Sequence, residues 1–299
     1  MLNKTQKIAI SKNFIISLLF ICLIFAAIGL GMEDSYAAGL NEKGVGIAME
    51  FDIEDKLGNS QVNEIMGVDK SSENHLAADY YVGQGTFENI QNAINNAQAG
   101  DSIYLAGDYT ANGNESTINI DKMLKITSSS SANLDGGGIS SIFYIKGNAS
   151  GSVISNLRFI NAEGDVGSAI FISASNVTVD NCIFENNHCN HGGVLSTKYD
   201  LYAAENLTIQ NCEFRNNSGY FKNLENFSTG GAIGVYGFNS KVLNSIFDSN
   251  WIKGRGSVYG GAIQIGLDVE NYTALVNNCT FLNNRAISIN AYSHGGAYS

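Results

Sequence analysis

From residue 157 onward, apolar and polar positions alternate in short triplets that recur at a nearly constant interval. The triplets are Leu157-Arg158-Phe159, Cys182-Ile183-Phe184, Cys212-Glu213-Phe214, Ser245-Ile246-Phe247 and Cys279-Thr280-Phe281. Their middle position takes Arg, Ile, Glu or Thr and so faces water. The flanking positions keep phenylalanine and a small or apolar residue, so they face a core. Alternation with period two is the signature of a strand. A glycine-led step repeats in the same way, as Gly167-Ser168-Ala169-Ile170, Gly192-Gly193-Val194-Leu195, Gly230-Gly231-Ala232-Ile233, Gly260-Gly261-Ala262-Ile263 and Gly295-Gly296-Ala297-Tyr298. It sends Ile170/Ile172, Leu195/Thr197, Ile233/Val235 and Ile263/Ile265 inward. Segments such as Asn176-Val177-Thr178-Val179 and Asn206-Leu207-Thr208-Ile209 add a third strand.

Successive phenylalanines lie 25, 30, 33 and 34 residues apart. A β-rich repeat of that length predicts one coil of a stacked solenoid. Three strands per coil give an all-β, right-handed parallel β-helix with a coil rise of about 4.8 Å. Phe159, Phe184, Phe214, Phe247 and Phe281 are then one column. From Phe184 onward each begins an F-x-x-N motif, so Asn187, Asn217, Asn250 and Asn284 form a second ladder. Stacked amides bond to each other and to backbone groups, and this structural role is preferred to ligand contact.

Helical periodicity occurs once in the region after residue 78. Ile90, Ala93, Ile94 and Ala97 share one face, with Thr86 as N-cap and Gly100 as stop. A single amphipathic helix ahead of the coils predicts a cap over the open end of the core. The solenoid is placed at 79–299. It includes less regular early coils at Ile103-Tyr104-Leu105, Ile118-Asn119-Ile120, Leu124-Lys125-Ile126 and Ile142-Phe143-Tyr144-Ile145. Inserts at 219–229 and 251–259 leave consecutive repeats after the same motif. They carry Tyr220, Phe221, Phe227, Trp251 and Tyr259, the candidate contact surface for a sugar or a protein. Folding of these rings back onto the solenoid flank is the alternative.

Lys4, Lys7 and Lys12 precede an apolar run over 14–30, and Ser35-Tyr36-Ala37-Ala38 offers small residues at its exit. This predicts an export signal over 1–37, cleaved after Ala37 or Ala38. An uncleaved anchor is the alternative, because 14–32 spans 19 residues and is long enough to cross a bilayer. Residues 38–78 are acidic and polar and read as a flexible spacer.

The formal charge is −11. The leader contributes three lysines against Glu33 and Asp34, a net of +1, so its removal leaves −12. Such a surface argues against nucleic acid as a partner, and against membrane contact other than through the N-terminal segment if it is uncleaved. Proline is absent, as suits a continuous ladder in which every N–H is needed. Cys182, Cys212 and Cys279 occupy the inward slot that Leu157 and Ser245 fill elsewhere, so they read as free, core-filling thiols.

The paired GGA[ILVY] and F-x-x-N motifs resemble the repeats of polymorphic outer-membrane proteins. With the opening Tyr81-Val82-Gly83-Gln84-Gly85-Thr86-Phe87 and Ala99-Gly100-Asp101-Ser102-Ile103-Tyr104-Leu105, the layout is similar to that of the β-helical adhesin-like proteins of methanogenic archaea. The resemblance covers about residues 79–299. It implies a pectate-lyase-like β-helix at the cell surface or secreted, acting in adhesion to cell-surface glycans or proteins, with no cofactor. Ala162 and Ser168 depart from the motif in the first repeat. The ending within a glycine step reads as a fragment or an early-terminated member of a longer type.

The enzymatic alternative is a polysaccharide lyase or glycoside hydrolase of the same fold. It needs clustered carboxylates. Asp180, Asp200, Asp248 and Asp268 do not recur at one repeat position, and Arg158 and Arg215 stand apart, so no catalytic residue is assigned. A passive surface-layer spacer is the third reading. Asn187-His188-Cys189-Asn190-His191 has the residue types of a metal site but too few ligands, and no metal site is assigned. Eight N-x-[ST] sequons follow the leader: Asn114, Asn148, Asn176, Asn206, Asn216, Asn226, Asn271 and Asn278. Asn216 and Asn278 are expected to be occluded within the repeat.

Overall fold

The computed structural model describes residues 36–41, 44–49, 76–113, 116–198, 204–220, 228–266, 273–290 and 292–296. The chain divides into two compact units, Met1–His75 and Leu76–Ser299. In the first unit, within the segment read as leader and spacer, Tyr36–Asn41 and Gly44–Met49 pair as an antiparallel hairpin. Ala37 and Ala38 lie in its first strand, opposite Ala48 and Ile47. The lysine-flanked apolar run lies outside the described residues.

The second unit is a right-handed parallel β-helix. From Glu163 onward its coils present four faces rather than the three strands expected. In one coil these are Thr178–Asp180, Ile183–Glu185, His188–Cys189 and Leu195–Thr197, called here faces one to four. Face three, missed in the sequence, begins directly after the inward asparagine. Faces one and two belong to a single sheet, because the early strands Ser102–Thr110, Lys125–Asp135 and Val153–Ile160 run through both. In later coils a left-handed asparagine bends the chain between them, with φ near +50° at Asn181, Asn211, Asn244 and Asn278. Asparagine tolerates this conformation better than other non-glycine residues.

The inside/outside assignment of the triplets holds. Leu157, Phe159, Cys182, Phe184, Cys212, Phe214, Ser245 and Phe247 are all buried. The five phenylalanines are register partners in adjacent strands. Their rings stack at centroid distances of 4.9, 4.5, 4.9 and 5.0 Å with interplanar angles of 10° or less. Phe143 closes the column edge-on at 5.3 Å from Phe159. Such offset and edge contacts add to the area each ring removes from water.

Asparagines form the second column. The Asn217 Oδ1 accepts from the Asn187 N–H and Nδ2, while its own Nδ2 donates to Phe184 O and to Asn250 Oδ1. Asn187, Asn217 and Asn250 are completely buried, so a partner for every polar atom is a condition of stability. The ladder starts at Ala162, whose N–H donates to Asn187 Oδ1 at 2.9 Å. A Cβ on Gly136, in the preceding coil, would come within 2.7 Å of the Ala162 Cα. That close approach accounts for the glycine at 136; nothing in the structure explains the alanine at 162.

The helix falls at Phe87–Asn96, with Thr86 as N-cap and its N–H bonded to Asn89 Oδ1 at 2.8 Å. Phe87, Ile90 and Ile94 are buried against the first coils. Gln91 accepts the Asn119 N–H at 2.7 Å and donates to Asn119 O at 3.2 Å. One side-chain amide thus satisfies the outer edge of strand Ile118–Ile120, a direct form of edge protection. Lys122 Nζ bonds Ile94 O and Ala97 O at the helix C-terminus, where a cation is favoured.

Candidate functional site

Face three aligns chemically varied outward side chains from five coils. Its strands are Glu163–Gly164, His188–Cys189, Ser218–Tyr220, Trp251–Gly254 and Arg285–Ser288. Register aligns one outward row: Glu163, His188, Ser218, Trp251 and Arg285. A second row holds Tyr220, Lys253 and Ile287. Between them Cys189, Gly219 and Ile252 point into the core and are buried.

The two inserts therefore do emerge together, as register requires, but they begin as ladder strands rather than as free loops. Ser218 pairs with Trp251 and Tyr220 with Lys253. Further on, Ser228–Thr229 pairs with Val258–Tyr259, which pairs with Ser293–His294. Tyr220, Trp251 and Tyr259 are half-buried, between the solvent-presented and folded-back extremes. Lys253 Nζ sits over the Tyr220 ring at 5.8 Å, and Tyr259 stacks on His294 at 4.8 Å. Phe221 and Phe227 lie outside the described residues.

Sequence reading overlooked two further outward aromatic pairs. Tyr81 and Tyr104 stack at 5.1 Å on face one, with Tyr81 77% exposed. Tyr144 and Phe171 approach to 5.3 Å on face four, with Lys146 5.9 Å from the Tyr144 centroid. Both were legible as aromatic middles of the triplets Tyr80-Tyr81-Val82, Ile103-Tyr104-Leu105, Phe143-Tyr144-Ile145 and Ile170-Phe171-Ile172.

Asp180 and Asp248 stay apart, on different faces. Asp180 ends a face-one strand and accepts from Asn211 Nδ2 at 2.7 Å. Asp248 ends a face-two strand and accepts from Ser249 and Asn283. Asp200 and Asp268 fall outside the described residues. Arg158 pairs with Glu185 and Arg215 with Glu213. Arg158 and Glu213 also border an open groove of about 460 Å³ at the first bend, floored by Asn156, Asn181 and Asn211.

The pleat splits the His-Cys-His segment. Cys189 points inward, where its thiol reaches Asp165 O at 3.1 Å and burial pushes its pKa up to about 11. His188 points outward and contacts Ser218 Oγ through Nδ1 at 2.9 Å, with Glu163 4.0 Å from Nε2. His191 lies beside Asp165, 3.9 Å away. Burial likewise raises the Cys212 and Cys279 thiols and the Tyr109 phenol. The four cysteines among the described residues are free.

Asn216 and Asn278 are not occluded. Both are exposed at left-handed corners, one residue or more from the buried ladder. Their Nδ2 groups donate to Asn186 and Asn244 of the preceding coil. The buried neighbour is Asn217, so occlusion was assigned to the wrong asparagine. Asn176 and Asn206 are exposed and bonded to each other in the same manner, and Asn148 is exposed. Asn114, Asn226 and Asn271 lie outside the described residues.

No protein-family profile and no curated protein sequence matches the chain. Among solved structures, a substituted form of the PL6 family alginate lyase AlyGC is similar at 13% identity with a TM-score of 0.33, over 86% of this chain and 44% of that one. AlyGC itself is similar at 13% identity with a TM-score of 0.27, over 89% of this chain and 48% of that one. The chain spans about half the length of these structures, and the likeness is one of fold alone.

Proposed function

We propose that this β-helix is a secreted or cell-surface adhesin-like protein that contacts glycans or proteins of other cells through its outward face-three ladder. The observation that carries the reading is the in-register placement of Tyr220, Trp251 and Lys253 on two adjacent coils. Paired strands of one sheet hold these half-buried rings, so contact costs little conformational entropy. The lysine-flanked apolar leader supports export. The reading is tested with the full-length chain on a glycan array and on immobilised cells, in parallel with Trp251→Ala. Binding that Trp251→Ala weakens supports it. Absence of binding to every surface, or binding indifferent to the substitution, overturns it.

One observation favours an enzymatic reading. Glu163, His188 and Ser218 line up along three coils, with the Ser218–His188 contact at 2.9 Å. A nucleophile, a base and an orienting carboxylate in line suit acyl transfer. The Ser218 N–H, a natural oxyanion donor, is already bonded to Asn187 O at 2.9 Å. That leaves the line closer to an outward polar ladder than to a hydrolytic centre. Labelling of Ser218 by a fluorophosphonate probe would reverse this preference.

A further inference from the structure

Among the described residues, charge is segregated along the solenoid. The protein carries 28 acidic residues against 17 basic ones. Yet between Ser249 and Gly296 the described residues include no Asp or Glu, while Lys253, Arg255 and Arg285 are all there. Arg158 and Arg215, in earlier coils, are neutralised by Glu185 and Glu213. Among the described residues Lys253 has the Tyr220 ring as its partner, and Arg255 and Arg285 are exposed without a carboxylate among them.

These cations surround aromatic rings. Arg285 is the register partner of Trp251, one coil away at about 4.8 Å between backbones. Lys253 follows Trp251 on the same outward side, two residues or about 6.6 Å along the strand. Arg255 occupies the corner leading from Trp251–Gly254 to Val258–Tyr259. Beyond that corner Tyr259 stacks on His294, and Tyr292, 76% exposed, lies 6.3 Å from the same imidazole. Rings and cations with no carboxylate partner among the described residues therefore alternate at intervals comparable with the units of a sugar chain. Glu163 and Asp165 lie at the far end of the same face, where they would repel an anion extending that way.

We infer that the corner formed by Trp251, Lys253, Arg255, Tyr259, Arg285 and Tyr292 binds an acidic polysaccharide. The rings stack on pyranose faces and the three cations pair with carboxylate or sulfate groups. This inference deepens the adhesive reading and rests on it. A uniformly negative protein would repel acidic glycans; concentrating cations on one corner permits attraction there within the short range set by screening.

The test is calorimetric titration of the full-length chain with oligogalacturonate, a chondroitin sulfate fragment, neutral dextran oligomers and a single-stranded DNA oligomer. The expected result is binding of one or both acidic glycans, weakened by about tenfold or more, about 1.4 kcal/mol, in the triple variant K253Q/R255Q/R285Q. Trp251→Ala should weaken it similarly, and Lys241→Gln on face one should leave it within about twofold. The tighter acidic ligand identifies carboxylate or sulfate as the recognised group. Trp251-dependent dextran binding with no preference for acidic glycans overturns this inference and leaves the adhesive reading standing. DNA binding equal to glycan binding and insensitive to Trp251→Ala overturns it as general polyanion adsorption. Absence of glycan binding overturns it, and cell attachment then decides the adhesive reading separately.

Discussion

Asn187 and Asn217 bond to each other in two ways: the Asn187 Nδ2 and the Asn187 backbone N–H both donate to the single Asn217 Oδ1, at 3.0 and 3.1 Å. The same scheme links Asn217 to Asn250 and Asn250 to Asn284. Each amide closes its own coil corner and fastens it to the next. Asn217→Ala is expected to cost about 3 kcal/mol or more, because it orphans the buried Asn187 N–H and takes a donor from both Phe184 O and Asn250 Oδ1, the latter keeping the backbone N–H of residue 217. Asn216→Ala removes one exposed bond and should cost about 1 kcal/mol or less. Chemical denaturation of the two variants checks the contrast; equal losses would mean that the inner ladder is not a principal tie.

The phenylalanine column makes a parallel prediction. Phe214 touches Phe184 at 4.5 Å and Phe247 at 4.9 Å, so Phe214→Ala should lose about 3–5 kcal/mol through burial and stacking. Glu213→Ala, outward and held only by a partly exposed pair with Arg215, should stay within about 0.5–1 kcal/mol. Urea midpoints measured side by side test this inside/outside assignment.

Gly231→Ala should prevent a full complement of native coils. A Cβ at this position would stand 2.1 Å from Gly261 O and 2.9 Å from Trp251 O, both backbone atoms of the next coil. Neither can yield without opening the stack. A melting curve indistinguishable from wild type would show that the coils are spaced more loosely than they are here.

Thiol chemistry offers a test of burial. Cys182, Cys189 and Cys212 are buried and Cys279 is half-buried, so of these four a small alkylating reagent at neutral pH should label Cys279 first and the others only on unfolding, read by peptide mapping that separates them from Cys22. Alkali should destabilise the fold. A thiol ionises near 9.0 when unfolded, whereas Cys189 does so at about 11 in the fold. Above pH 9 the unfolded state therefore binds fewer protons than the native state, and stability falls as pH rises toward 11. Stability that is flat from pH 8 to 10.5 would contradict the burial of these thiols.

The coil repeat, the inward phenylalanines and asparagines and the capping helix were legible because each rests on local chemistry. Alternation sets the faces, and the helix at Phe87–Asn96 shows its period of 3.6 within ten residues. Face three was not legible. His188–Cys189 is only two residues long, too short for any periodicity, and its pairing depends on a partner 30 residues on. The same reason hid the split of Cys189 from His188 and the exposure of Asn216 beside buried Asn217: a one-residue step across a strand or corner reverses direction.

By itself the sequence determined which residues repeat and which of them must face a core, because those depend on near neighbours and on hydrophobicity. Only the tertiary structure decided what stands next to what across coils. It set Trp251 against Arg285, placed Lys253 over the Tyr220 ring and separated Asp180 from Asp248 onto different faces. The coils differ in length, with phenylalanine spacings running from 25 to 34 residues. Counting along the chain therefore cannot establish cross-coil neighbours; the hydrogen-bonded register of the stacked strands does.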